Sequence, residues 1–182
     1  MPMNRIQFQH GLSLPAFLEQ FGAEPQCEAA LEQERWPEGF RCPRCGGADH
    51  CVLRGRARKT FQCRACRTQT SLTAGTLFQG THLALTLWFL ALYLVGQAKT
   101  GLSSLALMRQ LGVSYPTAWL IQQKLMQAMA EREACYALAG DVLVDDAYLG
   151  GEQAGKPGRG SENKVPFVAA VSLSPGGHPL QV

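Results

Sequence analysis

The chain has 182 residues, 46% apolar and 17% charged, with a formal net charge of +3. It is apolar enough to bury a core and long enough for one large or two to three small domains. The longest apolar run, residues 83–95, falls short of the roughly 20 residues that cross a bilayer, so no membrane partner is expected. The opening MPMNRIQFQH lacks the apolar stretch of a signal peptide, and seven cysteines without one point to a reducing cytoplasm.

Residues 1–40 form a helical N-terminal segment in this reading. Within it, residues 12–35 predict two short helices. Ser13 caps the first with Pro15 in its opening turn; Pro25 starts the second, which stops before Trp36-Pro37. Six glutamates and a charge of −4 in the first 40 residues make a poor nucleic-acid surface and suggest a packing or partner segment.

Residues 41–75 carry Cys42-Pro-Arg-Cys45 and Cys63-Arg-Ala-Cys66, with seventeen residues between the pairs. This spacing suits one tetrahedral Zn2+ held by four thiolates. A closed site of that kind leaves no position for substrate, so the metal builds a fold. A redox pair needs only one Cys-x-x-Cys. His50 and Cys51 stand as competing ligands, and Cys27 and Cys135 read as buried thiols. Residues 51–53 and 60–63 predict a hairpin turning at Arg54-Gly55-Arg56. Residues 41–67 hold eight basic side chains (Arg41, Arg44, Arg54, Arg56, Arg58, Lys59, Arg64, Arg67) against Asp49 alone. Such density suits a phosphate backbone; a solvated face turned to protein is the alternative.

After a turn at 73–76, residues 82–95 read as a helix apolar on all sides and wrapped by others. Residues 81–135 complete a helical region with the parts of a helix-turn-helix. Ser103 caps a helix whose apolar face is Leu105, Met108 and Leu111, with Leu107 beside it. Gly112 takes the left-handed turn position, Val113 plugs the angle, and Ser114 caps a second helix with Pro116 in its first turn. Ala118, Ile121, Leu125 and Met129 form that helix's buried stripe. Tyr115, Thr117, Gln122, Gln123 and Lys124 then lie nearer solvent, where glutamines can read adenine edges. An ordinary pair of packed helices is the alternative.

From Asp141 the period changes to that of strands. Residues 142–149 read as a strand carrying Asp145 and Asp146, residues 165–173 as a second, and a third begins at Pro179 after a turn at 174–177. The chain looks cut in the middle of a sheet. Gly150-x4-Gly155-Lys156 approaches a phosphate-binding loop, but Pro157 stands where Ser or Thr should bind magnesium, which rejects a nucleotide-hydrolysing site. A strand carboxylate such as Asp145 can hold Mg2+ in a two-metal site. Adjacent strand residues face opposite ways, so Asp145 and Asp146 do not readily share one cluster. Spacing alone does not separate a metal ligand from a solvated acid.

Four motifs in order carry a resemblance that covers nearly the whole chain. The stretch Arg35-Trp36-Pro37-Glu38-Gly39-Phe40-Arg41-Cys42-Pro43-Arg44-Cys45-Gly46 closely resembles the zinc ribbon of a family of bacterial insertion-sequence transposases. So do residues 61–67 with Thr70-Ser71-Leu72-Thr73-Ala74-Gly75-Thr76, the segment LGVSYPTAW, and residues 144–151 with Gly155-Lys156-Pro157-Gly158-Arg159-Gly160 and Asn163-Lys164. The resemblance implies a zinc-ribbon-containing enzyme with an RNase H-like catalytic fold and an acidic metal triad of the DDE or DDNK type. Such enzymes bind the terminal inverted repeats of their element, cut its 3′ ends with magnesium-activated water, and join the freed 3′ hydroxyl to target DNA. Asp145 aligns with the first metal-binding aspartate, and Asp146 stands where the family usually has Glu. Lys156, Arg159 and Lys164 would lie on a mobile loop near DNA phosphates.

Only 37 residues follow Asp145, and the family's remaining acids lie beyond them. The expectation is therefore a multidomain α+β chain: N-terminal helices, zinc ribbon, helix-turn-helix-like region, and an incomplete RNase H-like sheet over 140–182. It should bind double-stranded DNA, with self-association expected by analogy, and should not cut DNA alone. A non-catalytic zinc-dependent DNA-binding regulator is the alternative reading. A zinc-dependent protein-interaction module is the third.

Overall fold

In the computed structural model the described residues are 12–53, 58–98, 101–133, 135, 137–149, 165–177 and 179–181. They fall into two compact units, one up to Ala128 and the other from Met129 onward. The first unit takes in the N-terminal helices, the ribbon and most of the later helical region. The boundaries expected near residues 40 and 75 are therefore joints within one body, and a single apolar cluster from Cys27 to Leu125 runs through it.

Helix α1 (Leu14–Phe21) begins as its sequence predicts: the Ser13 hydroxyl accepts from the Ala16 N–H at 3.3 Å. Helix α2 (Glu24–Arg35) begins with half of a capping box, since Gln26 Oε1 accepts from the Ala23 N–H at 2.9 Å and Ala23 has no group to reciprocate. Phe17 of α1 and Cys27 and Leu31 of α2 are buried.

The ribbon is a three-stranded antiparallel sheet in the order β1 (His50–Leu53), β2 (Thr60–Cys63), β3 (Gln69–Ser71). The hairpin expected from the sequence is β1–β2. The third strand was not anticipated; it pairs Thr60 with Ser71 and Phe61 with Thr70. Three residues carry too little periodicity to be read alone, and pairing with β2 makes this strand. Beneath the sheet lies an aromatic cluster: Phe61 stacks on Phe40 at 5.1 Å, and Trp36 sets its ring edge-on to both at 5.0 Å. Phe61 is fully buried, though its strand has only four residues. Arg35 secures the far edge by donating to the Ser71 and Leu72 carbonyls at 3.0 and 2.6 Å.

Helix α3 (Leu85–Gln97) has no N-cap side chain of its own. Glu24, sixty-one residues earlier, supplies the cap: its carboxylate accepts from the Leu85 N–H at 2.9 Å and the Thr86 N–H at 3.2 Å. Leu85, Trp88 and Ala91 are buried, and Tyr93 stacks on Phe17 at 4.7 Å while donating its hydroxyl to the Leu12 carbonyl. The helix is not wrapped on every side as expected, because Leu92 is exposed. Helices α1, α2 and α4 pack on it, and the flank carrying Leu92 stays open.

Helix α4 (Ser104–Leu111) and helix α5 (Tyr115–Glu133) are joined by a three-residue turn. The Ser103 hydroxyl accepts from the Ala106 N–H at 3.2 Å, and Gly112 adopts φ +67° as its position requires. The buried residues of α4 are Leu107 and Leu111, while Leu105, expected in that face, is exposed. Ala118, Ile121 and Leu125 form the buried stripe of α5, and Met129, expected to extend it, is exposed.

The second unit holds an antiparallel sheet, β4 (Val142–Leu149), β5 (Val165–Leu173), β6 (Pro179–Gln181), in that order. Its strands are close to those predicted from 142, 165 and 179. Val144 is 65% exposed and Val168 70%. Ser172 is the one buried side chain described in these strands. An RNase H-like fold is a finer assignment than this three-stranded sheet carries.

Candidate metal centre and nucleic-acid interface

Two chain reversals of the same design bring four sulfurs together. In the first, the Cys42 N–H donates to the Gly47 carbonyl and the Gly46 N–H donates back to Cys42. In the second, the Cys63 N–H donates to Thr68 and the Arg67 N–H donates back to Cys63, all at 2.9–3.0 Å. Each reversal needs a left-handed residue just after its second cysteine: Gly46 at φ +72° and Arg67 at φ +60°. The ligand atoms of Cys42, Cys45, Cys63 and Cys66 all lie within 4.8 Å of one another. Cys42 and Cys66 are 3.5 Å apart, as are Cys45 and Cys63. A tetrahedron with Zn–S bonds near 2.3 Å has edges of about 3.8 Å, so the donor set fits one Zn2+. Bound there, the ion would cross-link the two reversals and fold the ribbon.

The sulfurs also fit a cation electrostatically. The Thr68 hydroxyl and amide pull the Cys66 thiol down to about 6. The Gly47 amide lowers Cys45, but the Cys66, Cys63 and Cys42 sulfurs outweigh it and push that thiol up to about 12. Four such groups do not all ionise together without a positive charge between them. Thr68 Oγ1 lies 3.2 Å from Cys66 Sγ, placed to donate to its thiolate and orient it. Gly47 leaves room beside the sulfurs: a Cβ there would stand 3.4 Å from Cys45 Sγ.

The competing ligands are excluded by position. His50 directs Nδ1 to the Ala48 carbonyl at 2.9 Å, and Cys51 pairs with Gln62 in the sheet, outside the sulfur cluster. Cys27 is buried as expected, and that burial, with the Glu24 charge, raises its thiol to about 11. Cys135, expected to be buried, is exposed.

The basic residues divide into two groups. Arg58 donates to Glu24 at 2.5 Å and to the Leu83 carbonyl, with only 19% of its side chain exposed. Lys59 pairs with Glu32 and lies over the Phe61 ring at 5.6 Å. Both were expected to contact DNA; in this structure both bind the ribbon to α2 and the start of α3. Arg41, Arg44, Arg64 and Arg67 are exposed, and Arg64 is held only loosely by Asp49, at 3.7 Å. Arg54 and Arg56 lie outside the described residues.

On α5, Gln122 was expected at the reading face. Its Nε2 donates to the Leu102 carbonyl at 2.6 Å and its Oε1 accepts from the Ser104 hydroxyl, so it clasps α5 to α4 instead. Gln123 is exposed. Lys124 places Nζ 5.8 Å from the centre of the Trp88 ring. It lines a cleft of about 290 Å³ with His82, Thr117 and Leu120. Missing from the sequence reading was the apolar hollow of about 490 Å³ formed by Tyr115, Pro116, Trp119 and Leu120. Their spacing, two adjacent pairs four apart, signals a shared helix face.

Asp145 stands exposed in β4, opposite Ala169 of β5, and its Oδ1 accepts from the Asp146 N–H at 2.9 Å. Among the described residues the four cysteines are the only cluster of three or more His, Cys, Asp or Glu side chains able to share an ion. Asp145 alone does not fit Mg2+, which needs several hard oxygen ligands to hold it against its hydration. Lys156, Arg159 and Lys164 lie outside the described residues. Among those described, no helix is long and apolar enough to cross a membrane.

The fold and sulfur geometry define a four-cysteine zinc ribbon set on a helical base. Residues 22–69, from just before α2 to the first residue of β3, match the transposase zinc-ribbon domain of the IS1595 type. The chain thus carries the zinc-ribbon domain of the insertion-sequence transposase family. It is also similar to an uncharacterised protein in transposable element ISH50 of Halobacterium salinarum (strain ATCC 700922 / JCM 11081 / NRC-1). They are 31% identical over 146 residues, which cover 78% of this chain and 46% of that protein. The chain spans about half the length of the curated relative it matches. No solved structure matches it.

Proposed function

We propose that this chain is the DNA-recognising part of an insertion-sequence transposase, with a structural Zn2+ on Cys42, Cys45, Cys63 and Cys66. The observation that carries the reading is the transposase zinc-ribbon match over a segment whose four sulfurs sit at tetrahedral spacing. The exposed arginines Arg41, Arg44, Arg64 and Arg67 meet duplex phosphates, and the element's terminal inverted repeats are the proposed target. Helices α4 and α5 act as a helix-turn-helix unit in this reading. Their contribution comes from Gln123 and Lys124, since Gln122 is engaged between the helices.

The β4–β6 sheet is proposed as the start of an RNase H-like domain, supported by the resemblance around Asp145 and by the antiparallel order of its strands. In that domain Asp145 would be one ligand of a catalytic Mg2+ site; among the described residues it belongs to no cluster of three or more such ligands. In this reading the chain binds DNA, and cleavage requires further acids beside Asp145. The regulator reading shares every binding feature, and it is favoured to the extent that Asp145 stands outside any cluster of metal-ligating side chains among the described residues.

Filter binding of purified protein to a duplex carrying an inverted-repeat end tests the proposal. Retention should fall on zinc chelation and with rising salt, by about 0.9 in the logarithmic slope for each phosphate contacted. Absence of chelator- and salt-sensitive retention would refute DNA recognition. Magnesium-dependent nicking by this chain alone would refute the requirement for further acids.

A further inference from the structure

The two zinc-binding reversals are alike in backbone and differ at one telling position. The left-handed residue is Gly46 in the first and Arg67 in the second. Glycine takes this conformation without penalty, whereas a residue bearing a Cβ is disfavoured there. Arg67 is the one non-glycine residue at positive φ among those described. Its backbone role, donating to the Cys63 carbonyl, is one that Gly46 performs equally for Cys42. What arginine adds at this place is its side chain.

That side chain is exposed and has no hydrogen bond or ion pair among the described residues. It borders a hollow of about 400 Å³ whose lining is Cys51, Gln62, Cys63, Arg64 and Arg67. Cys51 and Gln62 are paired neighbours on β1 and β2, so the hollow lies along one face of the hairpin. Arg64 reaches it from the other end of the same reversal. Its partner Asp49 stands 3.7 Å away, both side chains being largely exposed at 65% and 74%, so an incoming anion can displace it.

We infer that Arg67 and Arg64, with the Gln62 amide, form a seat for one DNA backbone phosphate at the second zinc reversal. Arg67 keeps its disfavoured backbone because its guanidinium completes that seat. Two guanidinium forks and an amide donor match the oxygens of a phosphodiester, and metal-anchored backbone beneath them limits the entropy lost on binding. Strain held at a position whose side chain has no structural partner is the pattern expected of a binding residue. The inference rests on the DNA-binding reading and names the place where that reading is strongest.

The experiment compares the zinc-loaded 182-residue wild-type chain with Arg67→Gly and Arg67→Lys. Each is melted, and each is titrated against the inverted-repeat duplex at several salt concentrations. Arg67→Gly should melt no lower than wild type, bind about 3- to 10-fold more weakly at 0.15 M salt, and lose about one unit of salt slope. Arg67→Lys should keep the slope. Wild-type-like affinity and slope in Arg67→Gly would overturn the phosphate seat while leaving DNA recognition standing. A lower melting temperature in Arg67→Gly would show instead that the arginine is structural. Failure of wild type to retain DNA would remove both this inference and the proposed function.

Discussion

The ribbon and the β4–β6 sheet are each three antiparallel strands, yet they stand at opposite ends of burial. The ribbon's strands have four, four and three residues, and Phe61 at their centre is fully buried. The other sheet has strands of eight, nine and three residues, and its Val144 and Val168 remain largely exposed. Strand length is therefore no measure of core. The small sheet lies over Trp36 and Phe40, is bound to α2 by Arg35, Arg58 and Lys59, and carries a metal-ligand set at its edge. Among the described residues of its own unit, the longer sheet has no comparable cover. Its apolar side chains await one, which makes it the more aggregation-prone of the two.

The contrast can be tested by substitution. The largest effect is expected from Cys63→Ser or from stripping the metal, because apparent structural Zn2+ binding energies reach about 10–16 kcal/mol and are coupled to folding. The first unit should then lose its cooperative thermal transition, read by circular dichroism. Phe61→Ala should follow with a loss of about 3–5 kcal/mol, the usual range for emptying a buried aromatic site, measured by denaturant unfolding.

Glu24→Gln should cost about 1–3 kcal/mol, since it weakens the cap of α3 and removes the charge opposite Arg58. Burial tends to raise the Glu24 carboxyl, but the Leu85 and Thr86 amides and Arg58 together hold it below the usual carboxylate value. A lowered folded pKa stabilises the protein above the unfolded value, and that stability is lost as pH falls through the folded one. Wild type should therefore lose more stability than Glu24→Gln between pH 7 and the acid side of that range, as thermal melts at stepped pH would show. The smallest effect belongs to the open sheet: Val168→Thr should shift stability by less than about 0.5 kcal/mol. A cost near that of Phe61→Ala would mean that Val168 is covered in solution and would erase the contrast.

Local chemistry was legible in the sequence and long-range pairing was not. The cysteine spacing picked out the four sulfurs that the fold brings together, Ser13 and Ser103 marked helix starts, and Gly112 marked the turn, because each depends on a few neighbouring residues. The fate of the basic residues was obscured because charge density counts one segment at a time. Glu24 and Glu32 come from the acidic N-terminal stretch, 34 and 27 residues away from the Arg58 and Lys59 they bind. The acidic and basic segments read as separate territories are partly each other's counterions. Gln122 misled for a related reason: helical periodicity placed it near solvent, while the Leu102 carbonyl and Ser104 of the preceding segment draw its amide inward. The third ribbon strand escaped notice because three residues acquire strand character only by pairing.

The measurement that bears most directly on this account is the metal content of the purified chain, followed while its thiols are progressively modified. The account predicts one zinc per chain, released as Cys42, Cys45, Cys63 and Cys66 react, with collapse of the ribbon's far-UV signal and of duplex retention in step with release. A chain that holds no zinc, or that loses it with both signals unchanged, would contradict it.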